Sequence, residues 1–158
     1  MLWTAFREAY VTLDPDAFRE EVEGTWLLFR LPPGDLDETF TTQRRGAIGS
    51  RVGPEVVIKL AKRAGSNAFG NMVTVGRADN NDIVIEHASV SKFHAFFKHD
   101  GGIWTVRDAP SLNGTTVDGE AADRPTPIHT GQVVGFGDVV EAVLVDAEAL
   151  YSRLHQPA

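Results

Sequence analysis

The chain has no cysteine, which excludes disulfides, thiol nucleophiles and thiolate metal sites. It also lacks an excess of positive charge: 15 Lys and Arg stand against 22 Asp and Glu, a formal net charge of −7. Nucleic-acid binding rests on clustered Lys and Arg, so this balance argues against it while permitting a local basic pocket. No apolar run approaches membrane-spanning length, and the N-terminus lacks the basic-then-apolar layout of a signal peptide. These absences, with the missing cysteines, are compatible with a cytoplasmic location. His87, His99, His129 and His155 are scattered and make no metal-ligand pattern. The glycines of residues 131–137 have no following Lys-Ser/Thr, so they are not a nucleotide loop. Ser91 and His94 are near in sequence, yet no Gly-x-Ser-x-Gly elbow surrounds Ser91. No cofactor, metal or catalytic residue is expected, and the chain reads as a binding module rather than an enzyme.

What is present is the composition of one globular domain with additions: 158 residues, 42% hydrophobic and 23% charged. Residues 1–24 read as a helical extension, with Trp3, Phe6, Tyr10 and Leu13 on one helical face. Asp14-Pro15 is a restart signal, with Asp as N-cap and Pro at the first helical position, and Phe18 and Val22 continue the apolar stripe. This extension either packs on the main domain or docks another protein through Trp3 and Phe6. Residues 25–53 read as a strand, Thr25-Trp26-Leu27-Leu28-Phe29-Arg30, followed by a polar linker after Pro32-Pro33-Gly34. A β domain is expected over residues 54–145, in which many short β-branched strands alternate with Gly, Asn and Asp turns. Residues 146–158 close the chain with a helix capped by Asp146 and carrying Leu150, Tyr151 and Leu154. The expected fold class is therefore all-β, an antiparallel β-sandwich with short helices at both ends.

Within the β domain, residues 73–119 hold three polar clusters: Gly76-Arg77, Ser91-Lys92-Phe93-His94 and Ser111-Leu112-Asn113-Gly114-Thr115. Apolar strands separate them, so each cluster falls at or beside a loop, and loops at one end of a sandwich converge. Gly76-Arg77-x-x-x-Asn81-Asp82-Ile83, Ser89-Val90-Ser91-Lys92-x-His94-Ala95 and Val106-x-Asp108-x-x-Ser111-x-Asn113-Gly114-Thr115-x-Val117-x-Gly119 together resemble the forkhead-associated (FHA) domain. Gly131-Gln132-x-Val134-x-Phe136-Gly137-Asp138 is similar to that family's closing segment. The resemblance covers about residues 54–145. It implies an eleven-stranded sandwich that binds phosphothreonine peptides through loops at one end.

The residue types suit that ligand. Phosphate on threonine brings about −1.5 to −2 charges and three strong acceptor oxygens. Arg77 offers a planar fork for two of them, Ser91 a compact hydroxyl donor, and Lys92 a mobile charge. Asn113 has donor and acceptor enough to hold a peptide backbone. The resemblance implies that Arg77, Ser91 and Lys92 contact phosphate and that Asn113 grips the ligand main chain. It also implies an architectural role for His94, and the loops need Gly76, Gly114 and Thr115. The two glycines permit tight loop conformations. One position departs: Leu112 stands where many members carry Thr or Ser, which removes a polar contact to the ligand. The implied partner is a phosphothreonine-bearing protein downstream of a Ser/Thr kinase, without nucleic acid or membrane. A second reading is a phosphate-independent interaction domain using the helices or a sandwich face. Thr39, Thr41 and Thr42 in the linker suggest one further device, a phosphorylated threonine folding back to occupy the chain's own pocket; the plainer reading is an unmodified linker.

Overall fold

In a computed structural model, residues 1–32 and 54–157 are described. Thr39, Thr41 and Thr42, and with them the fold-back reading, lie outside the described residues. The described chain opens with α1 (Trp3–Tyr10) and α2 (Pro15–Glu21), then β1 (Thr25–Arg30). From residue 54 onward come β2 (Glu55–Lys59), β3 (Val73–Gly76), β4 (Ile83–Val84), β5 (Ala95–Asp100) and β6 (Ile103–Asp108). The series ends with β7 (Thr115–Val117), β8 (Glu120–Ala121), β9 (Thr126–Ile128), β10 (Val133–Phe136), β11 (Val140–Asp146) and α3 (Ala147–Leu154).

The strands form two sheets, ordered β2-β1-β11-β10-β7-β8 and β4-β3-β5-β6-β9. All pairings are antiparallel except β3 with β4. Inward side chains of both sheets, among them Leu27, Phe29, Val75, Phe97, Val106, Val134 and Phe136, make the main core. This is the β-sandwich expected from the alternation.

β1 corrects the expected domain boundary. It lies between β2 and β11 in the first sheet, so residues 25–30 belong inside the sandwich rather than ahead of it. The continuous apolar run of β1 reflects burial on both faces. Leu27 and Phe29 enter the main core, while Leu28 joins a second one with Val57 and Val145. Phe6 of α1, Phe18 of α2 and Leu150 and Leu154 of α3 cover that second core. Trp3 stacks on Phe6 with ring centroids 5.6 Å apart, and Phe6 is 1% exposed. The aromatic residues of the N-terminal extension are therefore packing residues, which leaves the docking-helix reading without its anchors.

The helix signals act as written. The Asp14 carboxylate accepts from the Asp16 and Ala17 amides at 3.0 Å each, with Pro15 at the first helical position. Asp146 accepts from the Ala149 amide at 2.8 Å. Ahead of α1, Leu2 bridges to Val56, and the Met1 carbonyl accepts from the Val57 amide at 2.7 Å, so the first residues cover the edge of β2. No described helix is long and apolar enough to cross a membrane. β8 and β9 escape a pattern reading. β8 has two exposed residues, and β9 contains Pro127, tolerated because β9 is an edge strand.

Candidate functional site

The three polar clusters meet at one end of the sandwich, where β3 finishes, β5 begins, β6 finishes and β7 begins. The Arg77 amide donates to the Ser91 carbonyl at 2.9 Å and the Ala78 amide to the Lys92 carbonyl at 3.1 Å, joining the first cluster to the second. The Ser91 hydroxyl accepts from the Leu112 amide at 3.0 Å, joining the second to the third. Arg77, Lys92 and Asn113 are exposed there, and Ser91 is partly so.

The Arg77, Ser91 and Asn113 side chains are each held by one bond and keep further capacity. Arg77 Nε donates to the Val90 carbonyl at 3.0 Å, and among the described residues its terminal nitrogens have no acceptor and no carboxylate partner. Because Ser91 Oγ is already an acceptor for Leu112, its hydroxyl proton is left to donate. Asn113 Nδ2 donates to the Ser89 carbonyl at 2.8 Å, which leaves its oxygen and a second N–H unengaged. The Lys92 ammonium has no ion-pair partner among the described residues, and its backbone carbonyl is tied down by Asn81 Nδ2 at 2.7 Å.

Beneath them lies a buried polar frame. His94 is 0% exposed; its Nδ1 accepts from the Ser91 amide at 3.0 Å. That acceptance puts the proton on Nε2, which donates to the Gly114 carbonyl at 2.8 Å. One imidazole thus couples the second loop to the third, and burial pushes its pKa down. Asp108 receives the Ser111 hydroxyl at 2.5 Å, the Ser111 amide at 3.0 Å and the Thr115 hydroxyl at 2.7 Å. Burial alone would raise that carboxyl, but these donors outweigh it and hold Asp108 below the usual carboxylate range. Asp82 behaves alike: burial opposes its charge. Lys62, Ser66 and the Thr74 and Arg63 amides overcome that and keep it ionised well below the ordinary value.

The two loop glycines serve different ends. Gly114 has φ of 83°, the left-handed region that side chains avoid. Gly76 does not; it is the last residue of β3, and a Cβ there would lie 2.3 Å from the Lys92 carbonyl oxygen and 2.8 Å from Asn81 Nδ2. Its requirement is space, where the sequence suggested conformational freedom. Leu112 points away from the frame, with 89% of its surface exposed, and its amide supplies the contact to Ser91. Asn81 and Asp82, visible in the motif without a role, prove to be buried struts. Nothing in an Asn-Asn-Asp run distinguishes a strut from an ordinary turn.

This fold and loop arrangement define an FHA-type sandwich, and comparison with known proteins gives the same class. Residues 73–137 match the FHA domain family model. An ABC transporter ATP-binding/permease protein of Mycobacterium tuberculosis is 40% identical over 67 residues, which are 42% of this chain and 8% of that protein. The glycogen accumulation regulator GarA of Mycolicibacterium smegmatis is 39% identical over 70 residues, 43% of this chain and 44% of that protein. The chain thus spans less than half the length of either relative. Among solved structures, the FHA domain of the CT664 protein from Chlamydia trachomatis superposes with a TM-score of 0.50 at 23% identity. That superposition covers 78% of this chain and 98% of that one.

Proposed function

We propose that the FHA domain of this chain binds a phosphothreonine-bearing segment of another protein, phosphorylated by a Ser/Thr kinase, and itself performs no catalysis. The observation that carries the reading is Arg77: its guanidinium is anchored through Nε while its terminal nitrogens meet no protein acceptor among the described residues. An Arg fork held in place and left unpaired is preorganised for a dianion, so little ordering cost falls on binding. In the proposed complex Arg77 takes two phosphate oxygens, the Ser91 hydroxyl donates to one of them, and Lys92 adds charge. Asn113 takes the peptide main chain next to the phosphothreonine. His94, Asp108, Gly76, Gly114 and Thr115 hold the loops that carry these groups.

The test uses a degenerate phosphothreonine peptide library, with matched phosphoserine and unphosphorylated libraries. Phosphothreonine-selective binding is expected, and Arg77→Ala is expected to weaken it roughly 100-fold by leaving the phosphate without its paired charge. A one-methyl pocket contributes only about 1–3 kcal/mol, so serine should be disfavoured without being excluded. Equal binding of phosphorylated and plain peptides would overturn the proposal in favour of phosphate-independent docking.

A further inference from the structure

The second polar cluster carries an aromatic residue that the phosphate chemistry does not use. Phe93 sits between Lys92 and His94 and is 39% exposed, and Phe69, in the loop between β2 and β3, is 51% exposed. The two rings are stacked with centroids 6.3 Å apart and planes within 5°. Phe93 also stacks on Phe96 of β5, at 6.2 Å and 25°. Ala95 and Phe97 point into the core, so the period of two puts Phe96 and Lys98 on the outer face of the second sheet. Lys98 Nζ lies 5.7 Å from the Phe96 ring centroid, and Arg107 of β6 stands opposite Phe96. Lys92, Lys98 and Arg107 are all exposed, and none has an ion-pair partner among the described residues. A chain of net charge −7 therefore displays a contiguous aromatic strip with a basic rim. Solvated aromatic clusters of this kind mark contact surfaces.

We propose that the strip of Phe69, Phe93 and Phe96, with Lys92, Lys98 and Arg107, is a second docking surface for the same phosphorylated partner. It takes an acidic segment bearing an aliphatic or aromatic side chain, displaced along the chain from the phosphothreonine. This rests on the phosphothreonine reading and extends it. Continuity assigns the occupant, because Phe93 is two residues from Ser91 and lies in the short segment between Ser91 and His94, whose ring accepts from the Ser91 amide. Charge complementarity assigns its character: three unpaired cations favour an acidic segment. An extended peptide advances about 3.3 Å per residue, so the strip is reached only a few residues beyond the phosphothreonine. Short phosphopeptides would miss it.

The experiment compares a short phosphothreonine library, with few flanking residues, and a long one extended well beyond them. Phe69→Ser and Lys98→Glu are the variants, since both sites are exposed and neither side chain supports the loops. The wild type is expected to enrich acidic and apolar residues at distal positions of the long library. Both variants should lose that enrichment, weaken the enriched long peptide about tenfold, and bind the short library unchanged. Identical distal enrichment in wild type and variants would overturn the proposal. So would strip-dependent self-association in sedimentation, or strip-dependent binding of a single-stranded oligonucleotide, because each assigns another occupant. If the wild type shows no phosphate-dependent binding to the short library, the phosphothreonine reading has failed and the inference falls with it. That outcome is separate from loss of distal enrichment alone.

Discussion

At the scale of single residues, the loops depend on close approach as much as on charge. Gly76 is the sharpest case, because an added methyl group would meet backbone, the Lys92 carbonyl at 2.3 Å. Gly76→Ala is expected to cost about 1–3 kcal/mol in denaturant unfolding and to weaken phosphopeptide binding together with stability. An unchanged unfolding midpoint would show that β3 and the second loop can separate without cost. Leu112 is the opposite case. Its side chain is almost wholly solvated and only its amide is engaged, so Leu112→Thr should leave stability within about 0.5 kcal/mol. If the position matters to the ligand, that variant should bind phosphopeptide more tightly than the wild type in an anisotropy titration.

At the scale of elements, α1, α2 and α3 form a layer over the outer face of β2, β1 and β11. Phe18 is fully buried and meets Phe6, Tyr10 and Tyr151 at ring-centroid distances of 6.3, 6.1 and 5.3 Å. Removing it opens a cavity in the second core, so Phe18→Ala should lower stability by about 3–5 kcal/mol in urea unfolding. Phosphopeptide affinity measured below the transition should not change, since the layer and the loops lie on different parts of the sandwich. A loss of affinity without a loss of stability would return the helices to consideration as a docking element. Exposed ion pairs such as Arg19 with Glu148, at 2.5 Å, orient α2 and α3 but add little in high dielectric.

For the molecule as a whole, the buried polar frame predicts acid sensitivity. Burial lowers the pKa of His94 below its ordinary 6.5, so the unfolded chain takes up a proton there before the folded one does. Stability from the neutral imidazole is therefore full above about pH 6.5 and declines as pH falls through the window beneath it. Asp108 and Asp82 are held ionised below their ordinary 3.8, and their contribution is lost as pH falls further below that value. Each group can add a slope of at most about 1.4 kcal/mol per pH unit. Urea unfolding measured from neutral to acid pH should show stability falling in two stages. The upper stage should flatten in His94→Gln. A stability independent of pH down to the carboxylate range would contradict the assignment of His94 as a buried neutral brace.

Much of this was legible in the chain. Alternating apolar residues located most strands, Asp14-Pro15 and Asp146 marked two helix starts, and the three polar clusters marked the loops. Those are local signals, set by backbone sterics, capping and the period of a half-buried strand. What required the tertiary structure was long-range. β1 belongs inside the sandwich because β2 and β11 flank it. β8 and β9 exist because an existing sheet edge offers them partners, although two residues or a Pro-containing triplet would not make a strand alone. Asn81, Asp82 and Asp108 became struts, and Phe69 joined Phe93 and Phe96 into one strip, only when the loops closed upon one another. Sequence alone determined which groups the loops carry; which of them are buried and paired, and which remain free to meet a ligand, was decided by packing between residues far apart in the chain. Burial and hydrogen-bond partnership depend on neighbours in space, and no local pattern encodes them.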